Sequence, residues 1–144
     1  INQKKEIMKK IDLESLKKLL MLNEYPILVE DIPNELFENS IILNNDCDVS
    51  LLNGHYEGVN FVAPDWYDIL TEKCKDGRAL LIINGINNID KEEQLKFVEI
   101  LKYRKISTFD LPKNCSIIIT AYDIKNKPVA EEIYSLVASV WGVY

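Results

Sequence analysis

The clearest pattern in the chain lies in residues 77–121, GRALLIINGINNIDKEEQLKFVEILKYRKISTFDLPKNCSIIITA. Residues 80–83 and 117–119 are two apolar runs without polar alternation, which is typical of strands covered on both faces. Between them, Asp90 and Glu93 have the spacing of a capping box, which predicts the start of a helix with an apolar stripe. A strand, a crossover helix and a second strand indicate a βαβ-type unit, in which the two strands run parallel.

The flanking segments predict further elements of the same kind. We expect strands at 26–29, 40–43 and 140–144, helices at 34–39, 65–75 and 130–138, a hairpin at 106–111 and a polar loop at 44–58. Residues 1–22 predict N-terminal helices, with Asp12 as the cap of the second, and residues 26–144 form the core. The chain is therefore predicted to be a single α/β domain over residues 1–144, a three-layer sandwich around a largely parallel sheet of about five strands.

Composition narrows the classes of function. The net charge is −6 and the pI about 4.9, so the chain as a whole gives no electrostatic support for nonspecific nucleic-acid binding. No apolar run approaches the ~18 residues that a membrane-spanning helix needs. The three cysteines, Cys47, Cys74 and Cys115, are odd in number and widely spaced, which favours reduced thiols and a cytoplasmic location.

Four sequence segments between residues 58 and 123 resemble those of a known protein family. They are GVNFVAPDWYDIL, LLIINGINNID, KYRKISTFDLP and SIIITAYD, and their order is similar to that of the AAA+ ATPases, in particular the MoxR-like branch. The resemblance implies a P-loop NTPase core, here without the helical lid domain. It also implies that residues 80–83 stand for the Walker B strand and residues 117–119 for the sensor-1 strand.

The residues that would carry ATPase chemistry differ at every position that the resemblance points to. A phosphate-binding loop would follow residues 26–29, but Glu30 and Asp31 stand there without the glycines and lysine that wrap phosphates. Asn84 and Gly85 replace the Walker B Asp-Glu pair that holds magnesium and orients water. The polar sensor position falls on Tyr122. The sequence therefore predicts a degenerate nucleotide site.

Other catalytic or metal sites find little support in the sequence. His55 is the only histidine, and no G-x-S-x-G elbow is present, so neither a Ser–His nor a Cys–His pair is indicated. His55 lies near Asp46, Cys47 and Asp48, but their spacing matches no zinc or EF-hand pattern. We interpret these residues as a surface histidine among turn-forming aspartates, and we expect no catalytic residue, metal or cofactor.

Three functions remain open at this point. The first is a catalytically inactive AAA+-like domain acting as a protein-interaction or assembly module, whose partner is an active ATPase or a second copy. The second is a divergent nucleotide-binding ATPase domain that uses Arg78 or Arg104 in place of the lost loop. The third is a DNA-associated accessory subunit resembling the inactive clamp-loader subunits, although nucleic acid is not the expected partner. The candidate partner surface consists of Lys9, Lys10, Lys17, Lys18, Arg104 and Lys105.

Overall fold

Five parallel strands form the central sheet in the computed structural model, which describes residues 12–22, 25–30, 32 and 34–140. Two small antiparallel hairpins, β3–β4 and β6–β7, accompany the sheet. The order across the sheet is β2-β5-β8-β1-β9. The strands are β1 (Ile27–Val29), β2 (Ser40–Asn44), β3 (His55–Glu57), β4 (Asn60–Val62), β5 (Ala79–Asn84), β6 (Lys105–Ile106), β7 (Phe109–Asp110), β8 (Cys115–Thr120) and β9 (Ala138–Val140).

The helices are short and several continue into 3-10 turns. The α-helices are α1 (Leu13–Leu22), α2 (Val49–Asn53), α3 (Asp65–Lys73), α4 (Lys91–Gln94), α5 (Val98–Tyr103) and α6 (Glu131–Tyr134). The 3-10 helices are Asn34–Phe37, Cys74–Asp76, Ile86–Asn88 and Leu95–Phe97. Among the described residues, no helix is long and apolar enough to cross a membrane.

Alternate residues of β5 show how the sheet is covered on both faces. Leu80 and Ile82 belong to a cluster with the α1 residues Leu16 and Leu20. Leu81 and its alternate neighbours belong to the second, larger cluster, which contains buried residues of α3, α5 and α6. Both sets are almost fully buried, so an uninterrupted apolar strand is what this position requires. The predicted α/β domain with a five-stranded parallel sheet is confirmed, and helices on both faces fit the three-layer arrangement.

The capping signals at Asp12 and Asp90 are confirmed, but the helix predicted after Asp90 is interrupted. The Asp90 Oδ1 atom accepts a hydrogen bond from the Glu93 amide at 2.9 Å, and Asp12 caps α1 by accepting from the Ser15 amide at 2.7 Å. The 3-10 turn Leu95–Phe97 separates α4 from α5, so the predicted single helix is three short pieces. Arg104 ends α5 in the left-handed conformation, with φ 55°.

Several predicted boundaries are wrong. The predicted loop at 44–58 contains α2 and β3, because Asp48 caps a short helix and His55–Glu57 pairs with Asn60–Val62. The helix predicted at 65–75 ends at Lys73 and continues as the 3-10 helix Cys74–Asp76; Asp65, which the sequence indicated as its cap, is its first residue, and Pro64 is the N-cap. The helix predicted at 130–138 is limited to α6, and the last strand begins at Ala138; residues 141–144 lie outside the described residues, as do residues 1–11 of the predicted N-terminal helices.

Candidate functional site

The carboxyl ends of β5 and β8 lie side by side and carry a hydrogen-bonded polar network. Thr120, the buried last residue of β8, accepts a hydrogen bond from the Gly85 amide at 2.8 Å. The Thr120 hydroxyl donates to Asn84 Oδ1 at 2.9 Å, and the Tyr122 hydroxyl reaches the same oxygen at 3.4 Å. The structure therefore brings together Asn84, Gly85 and Tyr122, the three positions that the resemblance assigns to Walker B and the sensor.

The Asn87 side chain connects the loop that follows β5 to the loop that follows β8. Its side chain is 4% exposed, and its Oδ1 accepts from the Tyr122 amide at 3.0 Å. Its Nδ2 donates to the Tyr122 carbonyl and, at 2.7 Å, to the Lys127 carbonyl. Both polar atoms of the buried Asn87 side chain hydrogen-bond to backbone groups. The side chain therefore avoids the desolvation penalty of an unpaired polar group. The carboxyl ends of β5 and β8 therefore carry neutral side chains that hydrogen-bond to one another and to the backbone.

Gly85 has a conformation and surroundings that disfavour a side chain. Its backbone is left-handed, with φ 64° and ψ 46°, a region that residues with a Cβ occupy at a cost. A Cβ atom at this position would lie 2.8 Å from Asn88 Nδ2 and 3.1 Å from Asn45 Nδ2. The Asn45 amide also donates to the Gly85 carbonyl at 2.7 Å. A Glu at this position would therefore have to adopt the left-handed backbone and displace the side chains of Asn88 and Asn45.

The end of β1 completes this edge of the sheet. The Val29 carbonyl accepts from the Ala121 amide at 3.2 Å, so Glu30 follows directly beside the end of β8. Asp31 lies outside the described residues. The next element, Asn34–Phe37, is a four-residue 3-10 helix, and it lacks the aligned amides that a long helix presents to a phosphate. A carboxylate close to this position would repel phosphate oxygens.

The basic residues of the candidate partner surface are not assembled into one patch. Lys17 and Lys18 lie on α1, on one face of the sheet, whereas Arg104 and Lys105 follow α5 on the other face. The Arg104 Nη2 atom donates to the carbonyls of Pro112 at 3.3 Å and Cys115 at 2.8 Å, so this guanidinium holds backbone. The remaining basic positions, Lys9 and Lys10, lie outside the described residues.

Neither arginine considered as a substitute for the phosphate loop is near the carboxyl edge. Arg78 precedes β5, and its Nη1 donates to the Ser116 hydroxyl at 2.8 Å, near the start of β8. Arg104 contacts the carbonyl of Cys115, the first residue of the same strand. Since a six-residue strand spans roughly 20 Å, both guanidinium groups belong to the opposite, amino edge of the sheet.

A concave region that the sequence did not predict lies beside β2, the outermost strand on one side of the sheet. We call it the β2 groove; it has a volume of about 620 Å³. Its lining comprises Ile42, Leu43, Asn44, Asp46, Cys47, Ser50, Leu51, His55, Val62, Ala63, Pro64, Asp65 and Trp66. The only local sign of this groove in the sequence is the short turn between residues 55–57 and 60–62, which forms the β3–β4 hairpin.

The described residues show no metal centre. Among residues 12–22, 25–30, 32 and 34–140 there is no group of three or more histidine, cysteine, aspartate or glutamate side chains placed to hold a metal ion. His55 lies in β3, with its Nε2 atom 3.3 Å from Glu57 Oε1, so it forms part of a hairpin and not of the predicted turn.

A scan against protein-family models gives no match, and a search of curated proteins gives none either.

Proposed function

We propose that this chain is a catalytically inactive AAA+-like domain that acts as a protein-interaction or assembly module. The observation that carries the proposal is the neutral network at the carboxyl ends of β5 and β8, in which Asn84 and Gly85 stand where ATP hydrolysis uses an Asp and a Glu. The partner is another protein, an active ATPase or a second copy of the chain, and no nucleotide cofactor is required.

The arrangement of strands supports the AAA+-like part of the proposal. β8 lies between β1 and β5, so the end of β1, the Asn84–Gly85 step and Tyr122 share one edge of the sheet. Ligands of open parallel α/β sheets bind at this edge, and the AAA+ resemblance expects the phosphate loop, Walker B and the sensor to meet there. The positions are adjacent as required, while the groups at them are unsuited to a magnesium-bound triphosphate.

The two other functions are less well supported. A divergent nucleotide site would need a cation at the carboxyl edge, and Arg78 and Arg104 lie at the other edge. A DNA-associated role would need a continuous basic surface, but the four described residues of the candidate partner surface are divided between two faces of a chain with net charge −6.

We place the protein in a reducing compartment, the cytoplasm. Cys47, Cys74 and Cys115 are all free thiols, and Cys74 and Cys115 are buried. Burial also raises the pKa of each thiol, to about 12 for Cys115, which suits structural and unreactive cysteines.

Thermal unfolding with and without millimolar Mg-ATP or Mg-ADP tests the proposal. A nucleotide at ~100 times its dissociation constant would stabilise the folded state by about 2.7 kcal/mol, a rise of several degrees in Tm. We expect no rise beyond that produced by magnesium tripolyphosphate, which controls for charge and ionic strength. A nucleotide-specific rise would contradict the proposal and restore the ATPase interpretation.

A further inference from the structure

We propose that the β2 groove binds an extended segment of another protein, which adds as a strand to the free edge of β2 and carries lysine or arginine on either side of an apolar residue. This inference rests on the proposed interaction function and assigns it a surface and a partner chemistry. Strand addition gives affinity through main-chain hydrogen bonds, and the neighbouring side chains give selectivity.

The edge of β2 offers unused main-chain hydrogen-bonding groups. Among the described residues, β2 pairs only with β5, on one side. The Leu80 amide donates to the Asn39 carbonyl at 3.0 Å, so the main-chain groups of Asn39 and of every second residue after it point toward β5. The amide and carbonyl of Ile42, which lies between these residues, therefore point away from β5. Ser40–Asn44 contains no proline and no charged residue, the usual means by which an edge strand prevents pairing. Ile42 is also 47% exposed.

The groove lies on this outer side of β2. Three consecutive residues of β2 line it and no residue of β5 does, so the concavity follows the unpaired edge. Leu51, 62% exposed, and Val62 give it apolar walls. The floor is held by Trp66, whose Nε1 atom donates to the Leu51 and Leu52 carbonyls at 3.2 and 3.1 Å. An added strand therefore finds backbone partners and an apolar surface together.

The charges of the groove favour a cationic segment. Asp46 and Asp65 line it, and the described lining residues include no lysine or arginine. The nearby Lys96 is turned inward: its Nζ donates to the Cys47 carbonyl and lies 3.7 Å from Glu93 Oε2, and its side chain is 10% exposed. Opposite charges across an added strand are stabilising, so lysine or arginine at the ends of the segment suits this rim.

The same charges argue against a second copy as the occupant. Two β2 strands paired antiparallel about Ile42 would place Asp46 of one copy opposite Glu38 of the other, because both lie four residues from the centre. Like charges directly opposite one another destabilise strand pairing. The occupant is therefore a segment of a different protein.

Fluorescence anisotropy with two labelled heptapeptides tests the proposal. One peptide alternates lysine with valine and the other alternates glutamate with valine. The lysine peptide should bind at least about tenfold more tightly than the glutamate peptide. The variant Ile42→Pro removes the outward amide while leaving the ladder bonds to β5 and should lose at least about tenfold in affinity. The matched variant Ile42→Val, which keeps the amide, should bind as the wild type does.

Charge variants and amide exchange complete the test. Asp46→Lys combined with Asp65→Lys should lower affinity for the lysine peptide about tenfold, while Asp76→Lys, which lies before β5 at the amino edge, should not. In the wild-type protein the Ile42 amide should exchange more slowly when the peptide is bound, a readout that does not depend on whether Ile42→Pro folds.

The outcomes separate this inference from the proposed function. Absence of lysine-peptide binding, equal binding of the two peptides, or binding without protection of the Ile42 amide would overturn the β2 groove proposal. If the nucleotide scan is also negative, the interaction function stands and its surface lies elsewhere. A nucleotide-specific rise in Tm would overturn the proposed function whatever the peptide result.

Discussion

Replacing Gly85 with alanine tests how tightly the loop after β5 is packed. Gly58 provides a matched control, because its φ is also 64° and a Cβ atom there would meet nothing within 4 Å. Both substitutions impose the left-handed backbone on an alanine, and only Gly85→Ala also forces a Cβ against its neighbours. The difference between the two variants therefore isolates the crowding.

The expected magnitudes follow from these contacts. The left-handed backbone costs an alanine about 1 kcal/mol, which is the expected loss of unfolding free energy for Gly58→Ala. At Gly85 the new Cβ would lie 2.8 Å from Asn88 Nδ2 and 3.1 Å from Asn45 Nδ2, so both amides must move. Displacing Asn45 also weakens its hydrogen bond to the Gly85 carbonyl, worth about 0.5–1.5 kcal/mol. We expect a total loss of about 1.5–2.5 kcal/mol for Gly85→Ala.

Urea unfolding and thermal melts measure both losses. At roughly 4 °C per kcal/mol for a chain of this size, Tm should fall by about 4 °C for Gly58→Ala and about 6–10 °C for Gly85→Ala. Equal losses in the two variants would refute the crowding. The larger variant Gly85→Glu, which restores the residue type that the AAA+ resemblance expects, should be at least as unstable as Gly85→Ala and should hydrolyse no ATP above background.

Three further predictions concern the polar network, the helix cap and the thiols. Asn87→Ala should lower the free energy of unfolding by about 2–4 kcal/mol in urea titrations, since it leaves buried backbone groups without partners, whereas Asn88→Ala at an exposed position should cost far less. Asp90→Ala should cost about 1 kcal/mol by the same measurement; no loss would mean that the cap is dispensable. With a thiol reagent at pH 8, the partly exposed Cys47 should react first and Cys115 only on unfolding, because Cys115 is fully buried and a pKa of about 12 leaves a thiolate fraction of only ~10⁻⁴ in the folded state at that pH; labelling of Cys115 without unfolding would contradict this burial.

The sequence predicted the parts of this fold that depend on local signals. The uninterrupted apolar runs in β5 and β8 indicated strands buried on both faces, and Asp90 with Glu93 indicated the start of a helix. These signals are local, because burial on both faces and side-chain capping each leave their pattern within a few residues.

The parts that the sequence did not predict depend on residues far apart. Part of the crowding of Gly85 comes from Asn45, 40 positions away, and no local pattern shows that contact. β3 fell within the predicted loop at 44–58 and β4 was not predicted, because each strand has three residues and gives only a weak alternation signal. The β2 groove depends on the hairpin and α2 folding back beside β2, so it was missed as well.

The order of strands in the sheet has a consequence for the time course of synthesis. β1 is made early, yet its neighbours are β8 and β9, and Ile27 pairs with Ile118, about 90 residues later. At a synthesis rate of about 5–20 residues per second, β1 waits roughly 5–20 s for its first sheet partner, while β2 and β5 can pair sooner. A nascent chain arrested before β8 would expose the apolar residues of β1, and its release would allow a strand made near the beginning to enter the sheet near the end.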